Sequence, residues 1–200
     1  MKLSVFVPLL IVAVSNVEAI KEFANKKCPH AMGKYPFDLH KFAGKWYIVS
    51  GLPGESEDSS EEKCITSDIP PPTGDDTVSM FGQISYVKKN KTVHEDIYWS
   101  PIKHWPSISY LTMKGDDGTG EEIYKETVIA TDYDNYAVVL MCRSIFDSHT
   151  KQFGRSLYAN IFSRTATLDA KIVDTLKGVI SGYDIDTTKF VDEDNSNCNF

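Results

Sequence analysis

The sequence predicts an all-β domain of eight strands in antiparallel succession, with one amphipathic helix after them. Short apolar segments rich in Val, Ile, Thr and Tyr recur along the chain, each stopped by Gly, Pro, Asn or Asp chemistry. After Arg164 the apolar spacing lengthens to the helical period. The setting is bounded by an export-type leader and by four cysteines, Cys28, Cys64, Cys142 and Cys198.

The leader, MKLSVFVPLLIVAVSNVEA, has one lysine, an apolar run from Leu3 to Val14, and small or neutral residues at Val17 and Ala19. It reads as a secretory signal peptide over residues 1–19, and its apolar run is short for a bilayer span. Residues 20–200 then form a single domain of 200 − 19 = 181 residues, enough for one core and short for two. From Ile20 to Leu39 the chain is irregular, with Pro29, Gly33 and Pro36, and crosses the outside of the domain.

The first strand, Trp46 to Val49, lies in KFAGKWYIVSG and is followed by the exposed acidic loop GLPGESEDSSEE. Lys63 to Ile69 stops at Pro70-Pro-Pro72, Thr77 to Val87 at Lys88-Lys-Asn-Lys91, and Thr92 to Trp99 before Pro101. Ser107 to Met113 meets the turn GDDGTG. Glu122 to Ala130 leads through Thr131-Asp-Tyr-Asp-Asn135 into Tyr136 to Arg143, and Arg155 to Arg164 completes the series. In TATLDAKIVDTLKGVISG, Leu168, Ile172, Leu176, Val179 and Ile180 fall near one helix face, with Asp169 at its start and Gly178 or Gly182 at its end. That face must lie on the outer surface of the strands. Closure into a barrel removes the edges of such a sheet; a two-sheet sandwich with an appended helix explains the same pattern.

The even cysteine count in an exported chain argues for two disulfides, with three pairings open. The long spacings, without CxxC, give a zinc cluster little support. The net charge of −7, without an extended basic cluster, makes the chain a poor binder of nucleic acid or anionic lipid. His30, His40, His94, His104 and His149 are scattered without HExxH spacing, so neither a metal site nor a catalytic triad is expected. The acid and phenol of Thr131-Asp-Tyr133 invite a catalytic reading, but no nucleophile accompanies them, and an Asx turn accounts for the Asp and Asn residues. Asn90-Lys-Thr92 fits N-glycosylation at a strand connection.

Three short stretches, taken in order, resemble the signatures of the lipocalin family: Gly44-Lys-Trp46 after an irregular N-terminal segment, Thr131-Asp-Tyr133 at a late turn, and Arg164 before the helix. The resemblance covers the mature chain and is nearest to insect bilin-binding and insecticyanin-like proteins and to apolipoprotein D. It implies an eight-stranded up-and-down antiparallel barrel, closed at one end, with one C-terminal α-helix packed outside. It also implies the pairings Cys28–Cys142 and Cys64–Cys198; the first closes a loop worth roughly 4 to 5 kcal/mol in the chain-entropy account. In this reading Gly44 permits a tight turn, Trp46 plugs the closed end, and Arg164 lies across the indole.

In such a barrel alternate residues point inward. If Cys142 faces out to meet Cys28, then Met141, Val139 and Ala137 face in, with Val138 and Leu140 under the helix. Phe81, Tyr98, Tyr110 and Tyr158 are the aromatics expected near the cavity, His94 a polar group within it, and Trp99 and Trp105 are expected at its mouth. Tyrosines, a methionine and a histidine suit a flat conjugated ligand with polar ends. By resemblance to the insect proteins, that ligand is biliverdin, held non-covalently. The expected protein is a secreted carrier, in haemolymph if the source is an insect, and not an enzyme. The alternatives are another small hydrophobic ligand (a carotenoid, a retinoid, a fatty acid or haem) and a lipocalin acting through surface contacts with other proteins. No membrane insertion is expected, and assembly into a homo-oligomer is compatible with the sequence, with Trp105 as a contact.

Overall fold

The computed structural model describes residues 21–22, 26–52, 62–73, 79–114, 120–196 and 198. The leader, most of the acidic loop, most of GDDGTG and the start of the expected strand at Thr77 lie outside the described residues.

The elements in chain order are β1 (Lys21–Glu22), α1 (Leu39–Phe42), β2 (Gly44–Gly51), β3 (Glu62–Ile69), β4 (Met80–Lys88), β5 (Lys91–Ile102), β6 (Trp105–Lys114), β7 (Glu121–Thr131), β8 (Tyr136–Asp147), β9 (Gln152–Ser163), α2 (Ala170–Ser181) and β10 (Val191–Asp192). From β2 to β9 each strand pairs antiparallel with the next, and β9 returns to β2 through Tyr47↔Ser163 and Ile48↔Phe162. That last pairing closes the sheet into an eight-stranded up-and-down barrel, so the sandwich is excluded. The short β1 and β10 lie outside the eight, on β9 and β2.

Because side chains alternate across a strand, the barrel has two apolar layers. The inner one gathers Trp46, Ile69, Met80, Ile97, Trp99, Leu111, Tyr124, Val128, Val139, Met141 and Phe162. The outer one joins Val49, Val138, Leu140, Leu157, Ala159 and Ile161 to Leu176 and Ile180 of α2. This is why β8 is apolar on both faces: its outer side is covered by the helix. Asp169 caps α2 by accepting from the Lys171 N–H, and Gly182 ends it. The expected helix face is corrected at two positions: Ile172 and Val179 are exposed, and Val173 packs inward instead.

β2 and β3 pair only between Gly44–Tyr47 and Thr66–Ile69. Beyond that point they part, and the C-terminal tail lies between them. β10 pairs with Gly51 and Ser50 of β2. The Glu193 N–H donates to Val49 O (3.1 Å), the Asn195 amide to Ile48 O (2.7 Å), and on the other side the Cys64 N–H donates to Asp194 O (3.1 Å). Cys198 is bonded to Cys64, and Cys28 to Cys142, fixing the tail and the N-terminal segment to the barrel wall. The acidic tail is thus a piece of that wall.

Candidate functional site

One end of the barrel is a floor. Gly44 takes φ +101°, a left-handed conformation that admits glycine freely, and turns the chain from α1 into β2. Two residues on, Trp46 is fully buried, its indole N–H donating to Phe42 O at 2.8 Å. The Arg164 guanidinium lies 3.6 Å from the indole centroid, within cation–π range. Its N–H groups reach the carbonyls of Tyr133, Lys45, Lys41, Phe42 and Ala43 at 2.8 to 3.3 Å. The third signature holds the neighbouring turn. Asp132 accepts from the Asn135 and Tyr136 N–H groups, Thr131 Oγ1 donates to Tyr136 O, and Tyr133 Oη accepts from the Asp38 N–H. Partial burial raises the Asp132 carboxyl, but these hydrogen bonds outweigh it and hold it below its usual range. A carboxylate satisfied by its own turn is a structural group.

Just above the floor, Glu126 is buried from β7, with Oε1 accepting from Trp99 Nε1 (3.0 Å) and Ser109 Oγ (3.2 Å). Burial pushes its carboxyl up to about 7 against the pull of those two donors. The surroundings are apolar: Phe37, Leu39, Phe42, Ile69, Met80 and Val128. Side chains therefore fill the lower lumen.

The upper lumen is different. Ile84, Tyr86, Val93, Glu95, Met113, Glu122, Arg143 and Tyr158 are only partly buried. Polar pairs stand on its walls: Tyr86 Oη donates to Glu95 at 2.7 Å, Lys88 bridges Glu62 at 3.0 Å, and Arg143 bridges Glu122. Tyr124 Oη donates to Glu122 (3.0 Å) and shares a hydrogen bond with Ser156 (3.1 Å), its ring edge-on to Tyr158. Burial raises the Tyr124 phenol to about 12, so it remains a donor.

Among the expected pocket residues, Val139 and Met141 face inward and are buried, and Tyr158 joins them in part. Phe81, Tyr98, Tyr110 and His94 are corrections: each is exposed on the outer face. The reason is phase. Met80 pairs with Trp99 and Trp99 with Leu111, all three inside, so residues one position away face out. His94 meets Ser85 Oγ at 2.8 Å on that outer face. Trp99 is deep in the lower lumen rather than at the mouth, and Trp105 stacks on Tyr35 at 5.3 Å beside the floor. Sequence reasoning missed Ile97, Tyr124 and Glu126 and misplaced Trp99. The pair Ile97 and Trp99, two apart and flanked by Asp96 and Ser100, carries the inward phase of β5. Asn90 sits in the exposed β4–β5 turn, and no group of His, Cys, Asp and Glu able to hold a metal occurs among the described residues. A cleft of about 500 Å³ lies outside the barrel between the N-terminal segment and the end of α2, spanned by Arg155 hydrogen bonds to Lys27 O and Asp184 O.

A closed eight-stranded barrel, a Trp–Arg floor and an external C-terminal helix make up the lipocalin fold, and this chain has that fold. No model of a known protein family matches it. It is 26% identical over 191 residues to insecticyanin-B of Manduca sexta, covering 94% of this chain and 89% of that protein. It is also 26% identical over 193 residues to apolipoprotein D of Macaca fascicularis, covering 89% and 87%. The solved structure of insecticyanin from the tobacco hornworm superposes with a TM-score of 0.68 at 23% identity, covering 88% of this chain and 90% of that one. Lobster apocrustacyanin A1 gives a TM-score of 0.58 at 19% identity, covering 76% and 77%.

Proposed function

We propose that this protein is a secreted carrier that holds a small hydrophobic pigment, biliverdin, non-covalently in the upper lumen. One observation carries the reading: side chains fill the lower lumen around Glu126, whereas in the upper lumen partly buried aromatic and aliphatic side chains alternate with hydrogen-bonding pairs. Such walls take flat rings and also satisfy a few polar ends. The Lys88–Glu62 and Arg143–Glu122 pairs, based on β4 and β8, four strands apart in an eight-stranded ring, give the polar ends of the pigment hydrogen-bonding groups on opposite walls. All four cysteines are in disulfides, so no free thiol stands ready for covalent attachment. Residues 1–19 act as the export signal, residues 20–200 as the single domain, and Asn90 carries the glycan. The family resemblance supports a carrier without catalytic activity. A haem reading that relies on His94 is disfavoured because that ring lies outside the lumen.

Titration of the mature chain with biliverdin tests this. The expected result is a red-shifted, narrowed long-wavelength band with saturable one-to-one quenching of tryptophan fluorescence, since Trp99 lies inside the barrel. Tyr158→Ala should weaken binding by roughly tenfold, as expected for a lost ring contact of 1 kcal/mol or more, and Tyr98→Ala should leave it unchanged. An unaltered spectrum at micromolar protein would rule biliverdin out.

A further inference from the structure

The three aromatics displaced from the cavity form a feature of their own. On the outer face, Phe81 pairs with Tyr98, Tyr98 with Thr112 and Thr112 with Ile123, a straight row across β4, β5, β6 and β7. Phe81 is 51% exposed, Tyr98 48% and Ile123 57%, with Tyr110 beside the row at 49%. The two leading rings meet edge to face at 5.1 Å, so that end of the row is already ordered. The helix, the tail and the disulfide-held N-terminal segment cover β8, β9 and β2, and among the described residues this row stays half-exposed. An ordered apolar row of this kind on a polar surface marks a contact.

The charges flanking the row select the partner. Towards the mouth the next outward residues are Gln83, Asp96, Lys114 and Glu121; towards the floor they are Ser79, Ser100, Tyr110 and Lys125. In a two-fold pair each residue's distance above the row is mirrored below it when the axis runs along the row. Glu121 then faces the partner's Lys125, and Lys114 faces the partner's Tyr110, while Phe81 and Tyr98 meet their own copies. The acid and the base that answer each other lie four residues apart on one strand, and so do the cation and the ring. We infer that this face pairs with a second copy of the chain, two-fold along the Phe81–Tyr98–Thr112–Ile123 row. Four half-exposed side chains supply less area than the roughly 800 Å² per partner of a standard stable interface, so the dimer is weak and concentration-dependent.

Sedimentation velocity of the ligand-free mature chain over a range from low to high micromolar concentration tests this independently of any pigment. Dimer should grow with concentration. Phe81→Ser with Tyr98→Ser should weaken it by at least about tenfold, because aromatic anchors dominate such contacts. Glu121→Lys and Lys125→Glu should each weaken it, and the double variant should restore it. All four positions are at the surface, so circular dichroism and the unfolding midpoint should stay near wild type and show that loss of dimer is not loss of fold. A chain monomeric throughout, a dimer indifferent to Phe81 and Tyr98, a charge pair that fails to rescue, or a monomer that instead binds neutral phosphatidylcholine vesicles through this row would overturn the inference.

Discussion

Trp46→Ala is expected to lower the stability of the barrel by roughly 3 to 5 kcal/mol, the range for truncating a fully packed tryptophan. The indole has no exposure, and its neighbours, Phe42 at 5.2 Å and Phe162 at 6.4 Å between ring centroids, belong to different elements and have no means of collapsing into the space together. Truncation also takes the shorter of two hydrogen bonds from the Phe42 carbonyl, leaving it the 3.3 Å bond from Arg164, and removes the surface on which Arg164 lies. Urea unfolding followed by circular dichroism measures the loss. A variant that unfolds at the wild-type midpoint yet binds pigment poorly would reverse the assignment, making Trp46 a ligand residue instead of a floor.

Glu126→Gln is expected to remove a pH dependence of about 3 kcal/mol, the equivalent of a carboxyl moved from 4.5 to about 7. The sign follows from proton counting. Below an unfolded-state value of 4.5 the carboxyl is protonated in both states, and the stability it permits is fully present. Between there and about 7 the folded chain keeps a proton that the unfolded chain has released, so stability falls as pH rises. Above that range the folded protein carries a buried charge answered only by Trp99 and Ser109. Glutamine preserves an acceptor for both donors and never ionises. Glu193, raised to about 7 by burial and then by Glu62, slopes in the same direction; the comparison of wild type with the single variant isolates Glu126. Identical slopes in the two proteins between roughly pH 4.5 and pH 8 would refute the buried-charge account.

The sequence made the frame of this molecule readable because its rules there are local. Glycine at Gly44, an acid at Asp169 before an amphipathic run, and turn residues around Asp132 each act within a few positions, and the structure shows each in the corresponding turn or cap. On β8 the phase rested on Cys142, and Val139 and Met141 lie inside. On β4, β5 and β6 nothing pins the phase. Ile97-Tyr98-Trp99 offers aromatics to both faces, and β6 turns Ser107 and Ser109 inward while presenting Tyr110 to solvent. Polar groups face in there because Ser107 lies against Gly33 of the N-terminal segment and Ser109 serves Glu126, partners distant in sequence. A rule that places aromatics inside and serines outside inverts at that strand. The lumen was therefore less legible than the floor, since its lining depends on what crosses it.

The closure of β2 on β9 has a consequence for how the chain is made. Tyr47 pairs with Ser163, 163 − 47 = 116 residues later, and Trp46 waits 164 − 46 = 118 residues for Arg164. Synthesis at about 5 to 20 residues per second leaves the first strand without its seam partner for several seconds or more. During that interval a growing hairpin ladder presents its apolar inner face to the cell, and such long-separation pairings are slow to form. The nascent cup has no bottom until almost all of it has been translated. Its apolar lining is thus a liability to be shielded before it is a site to be filled.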